Sequence, residues 1–275
     1  MSSDNQAGRR DEAPSSRDAA APAPAIVEWL GGWWRIVFLG ARVLAFSFSA
    51  AGYTRAYRRA LLTRIYVATA PLVLWFTVLS SVISLVIIRI VVVTAQSYGL
   101  SQYALQMVVR VLVLELIPLT AALFVALRVT LPDGMELSAA RAQGELDEGT
   151  RAGTEAVILE VAPRIMAGVF AALALAAVSG VVTLLLAYLT IYGFVGGGAE
   201  QYTRTVGQIF DPAVTLVFIL KTLFLSLAVA LVPVGSALYD TPQRSSRSSG
   251  EIRILVRLFL VILLIEAVSL IGNYY

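Results

Sequence analysis

Five long apolar runs divide this chain, at roughly residues 66–95, 104–127, 162–191, 212–238 and 254–272. Each reaches the roughly 20 residues that an α-helix needs to cross a bilayer core, the last only just. Lipid offers no partner to a backbone N–H or C=O, so a run of this length must become a helix. Apolar residues make up 58% of the 275 positions, and mean hydropathy is +0.80. A soluble domain of this size cannot bury that much apolar surface. The expected fold class is therefore all-α integral membrane, with five transmembrane helices.

The segments ahead of the first span differ in kind. Residues 1–25 are polar and rich in Ala, Pro and Ser, a composition that predicts a disordered tail. Residues 26–50 predict a helix. Glu28, Arg35, Arg42 and Ser49 recur every seven residues, so they line one narrow stripe, with Trp29, Trp33, Trp34, Phe38, Phe46 and Phe48 on the remaining surface. Such a helix suits the membrane interface. The other reading is a sixth span, but the charges leave no uncharged run of about 20 residues.

Arginines set the orientation. Arg55, Arg58, Arg59 and Arg64 precede the first span. Arg128, Arg141, Arg151 and Arg164 sit in or beside the second connection, and Arg244, Arg247, Arg253 and Arg257 in or beside the fourth. The first connection and the C-terminal "GNYY" carry none, and the third carries only Arg204. Positive residues stay cytoplasmic, which places the N-terminus inside and the C-terminus outside a multi-pass protein. The polar loop 132–160 is then cytoplasmic. A helix is expected there over Met135–Glu148, with a break at Gly149–Gly153.

Several chemistries are excluded. The chain has no cysteine and no histidine, which removes disulfides, thiolate chemistry, the usual general base and the commonest metal ligand. It lacks a G-x-x-x-x-G-K-[ST] phosphate loop. Neither an enzyme activity, nor a cofactor, nor a metal site is expected. A net charge of +3 and a pI near 9.3 fit arginines at a membrane face and do not call for nucleic acid.

Five ionisable residues fall inside the spans: Arg89, Arg110, Glu115, Lys221 and Glu266. Each costs about 2.5–3.5 kcal/mol at a helix centre on insertion scales, which marks a pathway or a paired cluster. At about 1.5 Å per residue, Arg89, Arg110 and Glu266 lie about 9 Å below the outer surface, Lys221 about 13 Å and Glu115 about 16 Å. All five share the outer half of the bilayer. They could line a polar cavity open to the outer leaflet. They could also be salt bridges between helices, or, for the arginines, side chains snorkelling outward. Lys221 is the only lysine, against twenty arginines, and compositional drift does not explain keeping it. It is expected to approach Glu115 or Glu266 closely.

From "LLTRIY" (Leu61–Tyr66) onward the chain resembles the MlaE family, the permease subunits of MCE-type ABC lipid transporters. "LELIPLTAALFVALR" (Leu114–Arg128) is similar to a family segment that places its glutamate, proline and arginine at Glu115, Pro118 and Arg128. "APRIMAGVFAALAL" (Ala162–Leu175) resembles the opening of the family's third span. "LKTLFLSLAV" (Leu220–Val229) puts Lys221 on the family's lysine, and "LLIEAVSLIGN" (Leu263–Asn273) puts Glu266 on its aspartate. The resemblance makes residues 26–275 one MlaE-like permease domain: an interfacial helix, five spans, and a cytoplasmic coupling helix between spans 2 and 3.

What the resemblance implies is a homodimeric permease of the bacterial inner membrane, moving phospholipid between inner and outer membranes. Its partners would be a cytoplasmic ABC ATPase, which would bind the ATP, and a periplasmic MCE-domain protein. Glu115 and Lys221 fall on residues that line the family's lipid cavity, and Glu266, Arg110 and Arg89 are the further candidates for it. Glu136, Arg141, Glu145, Leu146 and Asp147 fall where the family couples to its ATPase. The departures are specific. Leu114 and Ile117 replace the family's arginine and glycine, Ile90-Val91 replaces a glutamine-glycine pair, and the family's glutamate-glutamine pair in the coupling helix falls on Gly144-Glu145. They motivate a second expectation, a degenerate permease acting as scaffold or as heterodimer partner. An unrelated secondary transporter or channel is the third, weakened by the lack of an internal repeat.

Overall fold

A computed structural model of the chain describes residues 25–48, 55–143, 154–193, 198–239 and 247–274. The tail ahead of Ala25, Ser49 and the Gly149–Gly153 break fall outside them. The described residues are helical almost throughout and contain no strand. Five helices are long and apolar enough to cross a membrane. The first helix, α1 (Ala25–Phe48), is not one of them. Along it, Ile36, Leu39 and Val43 are buried at helical spacing, while Trp34, Val37 and Phe38 are exposed. Arg35 and Arg42 are exposed too, and the Arg42 guanidinium lies 5.5 Å over the Phe38 ring.

Helix α2 (Arg55–Ser97) has 43 residues and is about 65 Å long, twice the roughly 30 Å of a hydrocarbon core. Nothing between Arg55 and Tyr66 breaks a helix, so the arginine-bearing segment and the first apolar run form one rod. Its arginine end projects beyond the lipid. A turn at Gly99, with φ of 70°, and a short 3-10 helix (Ser101–Tyr103) lead into the second span.

That span is helical without a break, but its pitch changes. It runs through α3 (Ala104–Val108), a π-helical segment (Val109–Leu116), α4 (Ile117–Val125), a second π-helical segment (Ala126–Thr130) and α5 (Leu131–Ala142). Each π-helical segment ends just ahead of a proline in the first turn of the next α-helix, Pro118 and Pro132 respectively. A proline removes an N–H donor and pushes its ring at the carbonyl four residues back. The wider i→i+5 turns absorb that clash without breaking the rod. The helix expected over Met135–Glu148 thus begins earlier, as a continuation of the span, and the described part of it ends at Gln143.

The third span is α6 (Thr154–Tyr192), closed by Gly193 with φ of 70°, a left-handed C-cap. Then comes α7 (Ala199–Ile209), a helix inside the third connection. Tyr202, Val206 and Ile209 form its inward stripe. The Tyr202 hydroxyl donates to the Leu184 carbonyl at 2.9 Å, and Tyr202 rings against Tyr188 and Tyr192. Burial, reinforced by Tyr192, raises the Tyr202 phenol above its ordinary range. The fourth span, α8 (Pro212–Tyr239), starts from an Asp-Pro pair, with Asp211 Oδ1 accepting the Val214 N–H at 2.7 Å. Asp at the N-cap and Pro at N1 are the favoured residues there. The fifth span, α9 (Arg247–Tyr274), packs chiefly on α8, burying Leu258 and Ile262 and exposing Phe259, Leu263, Leu264, Val268 and Ile271.

Helix α8 is the hub, packed against α1, α4, α5, α6 and α9. Its arginine-end half is almost wholly buried, from Leu225 to Ala237. Small residues let the helices approach there, as in other membrane bundles. A methyl group added at Gly134 on α5 would fall 3.0 Å from the Pro233 carbonyl oxygen and 3.1 Å from its carbon. These are backbone atoms and cannot swing aside. Gly134→Val is therefore expected to destabilise the purified protein by about 1–3 kcal/mol, the usual cost of overpacking. Thermal unfolding in detergent checks this, and an unshifted Tm would refute so close an α5–α8 contact.

Candidate functional site

Three helices each bring one charged side chain to a single point. Glu115 comes from the first π-helical segment, Lys221 from α8, two turns past its start, and Glu266 from α9. The Lys221 ammonium bonds Glu115 Oε2 and lies 2.6 Å from Glu266 Oε2. Its side chain is 1% exposed, against 19% for Glu115 and 18% for Glu266. The lysine is sealed, while the Glu115 and Glu266 side chains are each partly exposed. Glu266 Oε1 is buried with no hydrogen-bond partner among the described residues.

The chemistry follows from the stoichiometry. One ammonium offers three donors and two carboxylates offer acceptors only, so Lys221 is the shared donor. Removing ions from water costs several kcal/mol each, and mutual attraction offsets this only with close geometry. A compact ammonium on a flexible stem can meet carboxylates from two sides. A planar guanidinium presents a wide fork that needs more room. The single lysine of the chain stands where that difference matters.

The other expected residues are placed differently. Arg110, on the same π-helical segment as Glu115, is half-buried, and its Nε is buried without a hydrogen-bond partner. Arg89 is exposed on α2. Neither forms an ion pair among the described residues, so the structure brings together Lys221, Glu115 and Glu266 and leaves the two arginines outside that knot.

A second charged group lies at the arginine-rich end, where α5 meets α2 and α6. Arg164 is buried, 3.6 Å from Glu136 on α5 and 3.5 Å from Glu160 one turn earlier on α6. Arg64 on α2 lies 3.8 Å from Asp133 on α5. Arg141 donates to the Ala237 carbonyl on α8 at 3.4 Å. Glu136 and Arg141 are thus both built into this end of the bundle. Glu145, Leu146 and Asp147 lie outside the described residues. Sequence reasoning used Arg64 and Arg164 only for orientation and passed over Asp133 and Glu160. The i, i+4 spacing of Glu160 and Arg164 was the available signal, while the other two pairings depend on helix crossings.

Five helices able to span a membrane, three of them joined by an ion cluster, define a multi-pass membrane protein. The family model described as Permease MlaE matches residues 61–271. The chain belongs to the MlaE permease family, and is a transport subunit of the ABC type rather than a classical enzyme. The matched stretch includes the ion cluster and α5. Among curated proteins, none matches the chain.

Breaking the cluster from its centre is expected to be costly. Lys221→Met leaves two carboxylates facing each other, and loss of one partner of a buried pair costs about 3–5 kcal/mol. Adding Glu115→Gln and Glu266→Gln to it is expected to recover most of the loss, and Lys221→Arg is expected to recover little. Unfolding in detergent compares the four proteins. A Lys221→Met protein as stable as the parent would sink the account.

Proposed function

We propose that the chain is the permease subunit of an ABC-type phospholipid transport system acting between the inner and outer membranes of a bacterium. Lipid is held in a polar-lined cavity open to the outer leaflet. Glu115, Lys221 and Glu266 form its charged floor, and Arg110 and Arg89 lie toward its mouth, where a guanidinium can meet a lipid phosphate. The observation that carries this reading is the convergence of Lys221, Glu115 and Glu266 from three spans, on the positions singled out by the family resemblance. Membership of a permease family supports the same reading. A merely structural ion pair would not need two carboxylates for one ammonium.

The unit in the membrane is proposed to be a homodimer, with N-termini cytoplasmic and C-termini periplasmic. A cytoplasmic ABC ATPase docks on α5, where Glu136 and Arg141 stand, and on the Glu145-Leu146-Asp147 stretch that follows. ATP is bound there and not by this chain. A periplasmic MCE-domain protein receives the lipid on the other side. The altered coupling stretch at Gly144-Glu145 favours one alternative, a degenerate permease that serves as scaffold or pairs with a more typical permease.

Gentle purification of the tagged chain from its own cells, followed by mass spectrometry, tests the proposal. Phospholipid, an ABC ATPase and an MCE-domain protein are expected to co-elute, and Lys221→Ala is expected to lower bound lipid while the ATPase is kept. A preparation that retains neither lipid nor ATPase would refute the transport reading. Retention of an ATPase together with a second, different permease would favour the heterodimer. The chain lacks cysteine, so single cysteines at Ser138 and Thr203 report orientation directly. Ser138 is expected to react from the cytoplasm and Thr203 from the periplasm; the reverse pattern would overturn the topology.

A further inference from the structure

Pro233 sits inside α8 and has no N–H to give to the Val229 carbonyl four residues back. A helix in a membrane must find that carbonyl another donor. The structure supplies one from a different span. The Thr130 hydroxyl, at the last residue of the second π-helical segment, donates to the Val229 carbonyl at 2.6 Å, fully buried. Its own helix offers only a long contact, 3.5 Å to the Ala126 carbonyl. The methyl of Thr130 is seated as firmly: a methyl group added at Gly168 on α6 would fall 2.8 Å from Thr130 Cγ2. Thr130 is thus wedged between α6 and α8 by opposite ends of one side chain.

Three contacts follow one another at one-turn spacing along α8, made by Thr130 and, from α5, by Gly134 and Arg141. Thr130 meets the Val229 carbonyl, Gly134 lies against the Pro233 carbonyl, and Arg141 meets the Ala237 carbonyl. They are not equivalent. The helical bond missing from α8 is the one that would join Val229 to residue 233, so α8 is weakest there. Gly134 and Arg141 hold the part of α8 beyond that weak point. Thr130 alone of the three holds the part before it, which carries Lys221.

We propose that Thr130 is a positioning residue that transmits movement of α5 to the Lys221-bearing half of α8, through the carbonyl that Pro233 leaves without its helical donor. This rests on the transport reading, in which a partner ATPase acts on α5. The Thr130–Val229 bond then serves two ends. It satisfies a buried carbonyl, and it ties the coupling helix to the ion cluster.

Four variants separate the two ends: Thr130→Val, which keeps shape and loses the donor, Thr130→Ser, which keeps the donor, Pro233→Ala, which returns an N–H to α8, and Thr130→Val combined with Pro233→Ala. Each is purified with its ATPase in nanodiscs of phosphatidylethanolamine and phosphatidylglycerol. The readouts are Tm and the transfer of fluorescent phosphatidylethanolamine per ATP hydrolysed. Thr130→Val is expected to lower Tm and to cut transfer per ATP by about fivefold or more, the lower end of a typical coupling energy. Thr130→Ser is expected to retain both. The combined variant is expected to recover Tm, because the carbonyl has a donor again, without recovering transfer, because the tie to α5 is still missing. Pro233→Ala alone, with the tie intact, is expected to keep transfer.

Recovery of transfer together with Tm in the combined variant would overturn the proposal and leave Thr130 a structural donor. So would normal transfer in Thr130→Val, or an equal defect in Thr130→Ser. A parent complex that hydrolyses ATP and moves no lipid would overturn the transport reading itself. That outcome is distinct from a parent that transfers and a Thr130→Val protein that matches it.

Discussion

The Lys221 ammonium, shared between Glu115 and Glu266, is the interaction on which the arrangement of spans depends. Apolar side chains give helices in lipid no strong reason to choose one register over another, since lipid tails are as apolar as leucine. A buried charge does give one. Lys221 must meet its carboxylates or remain unpaired in a low-dielectric interior, at a cost of several kcal/mol. That requirement fixes the height of α8 against α9 and against the second span. It also fixes which faces of those helices turn inward. Leu258 and Ile262 are buried on α9 beside that contact, and Leu264, Val268 and Ile271 are exposed.

The pitch changes of the second span are part of the same geometry. In an ideal α-helix side chains advance by about 100° per residue, and π-helical turns slow that advance. Two such segments lie between Ala104 and Ala142. The first carries Glu115 and the second carries Thr130, so two of the residues that reach α8 through polar atoms sit on widened turns, while Arg141 reaches it from the regular turns of α5. Pro118 and Pro132 are the sequence cause, and the inter-helix contacts of Glu115 and Thr130 are the structural consequence. Prolines are tolerated in spans when neighbours satisfy what they leave open, and Thr130 performs that service for a third proline, Pro233.

Much of the fold was legible because lipid makes the rules strict. Five apolar runs became five helices long and apolar enough to cross a membrane. The pairing of Lys221 was allowed by depth, since Lys221, Glu115 and Glu266 all fell in the outer half of the bilayer. What the sequence did not reveal has one cause, which is that helix crossings are not periodic in any single segment. The pairs of Arg164 with Glu136 and of Arg64 with Asp133 join residues far apart in the chain. The helix at Ala199–Ile209 was readable in principle from Tyr202, Val206 and Ile209, but glycines ahead of it suggested a loop. Arg89 and Arg110 share the depth of the cluster and still stand apart from it, because depth says nothing about which side of a helix a residue occupies.

The two charged groups of the molecule are joined by a single element. From Lys221 to Val229 is eight residues of unbroken helix, or about 12 Å, and a helix of that length moves as a rod. Helix α5 meets α2 through Asp133 and α6 through Glu136, but it packs chiefly on α8. Whether a push on α5 reaches the ion cluster depends on where it grips α8. A grip only beyond Pro233 would be dissipated by bending at the missing hydrogen bond. A grip at Val229 acts on the rod that holds Lys221 directly. The placement of a threonine, rather than an alanine or valine of similar size, at position 130 is what puts a grip there.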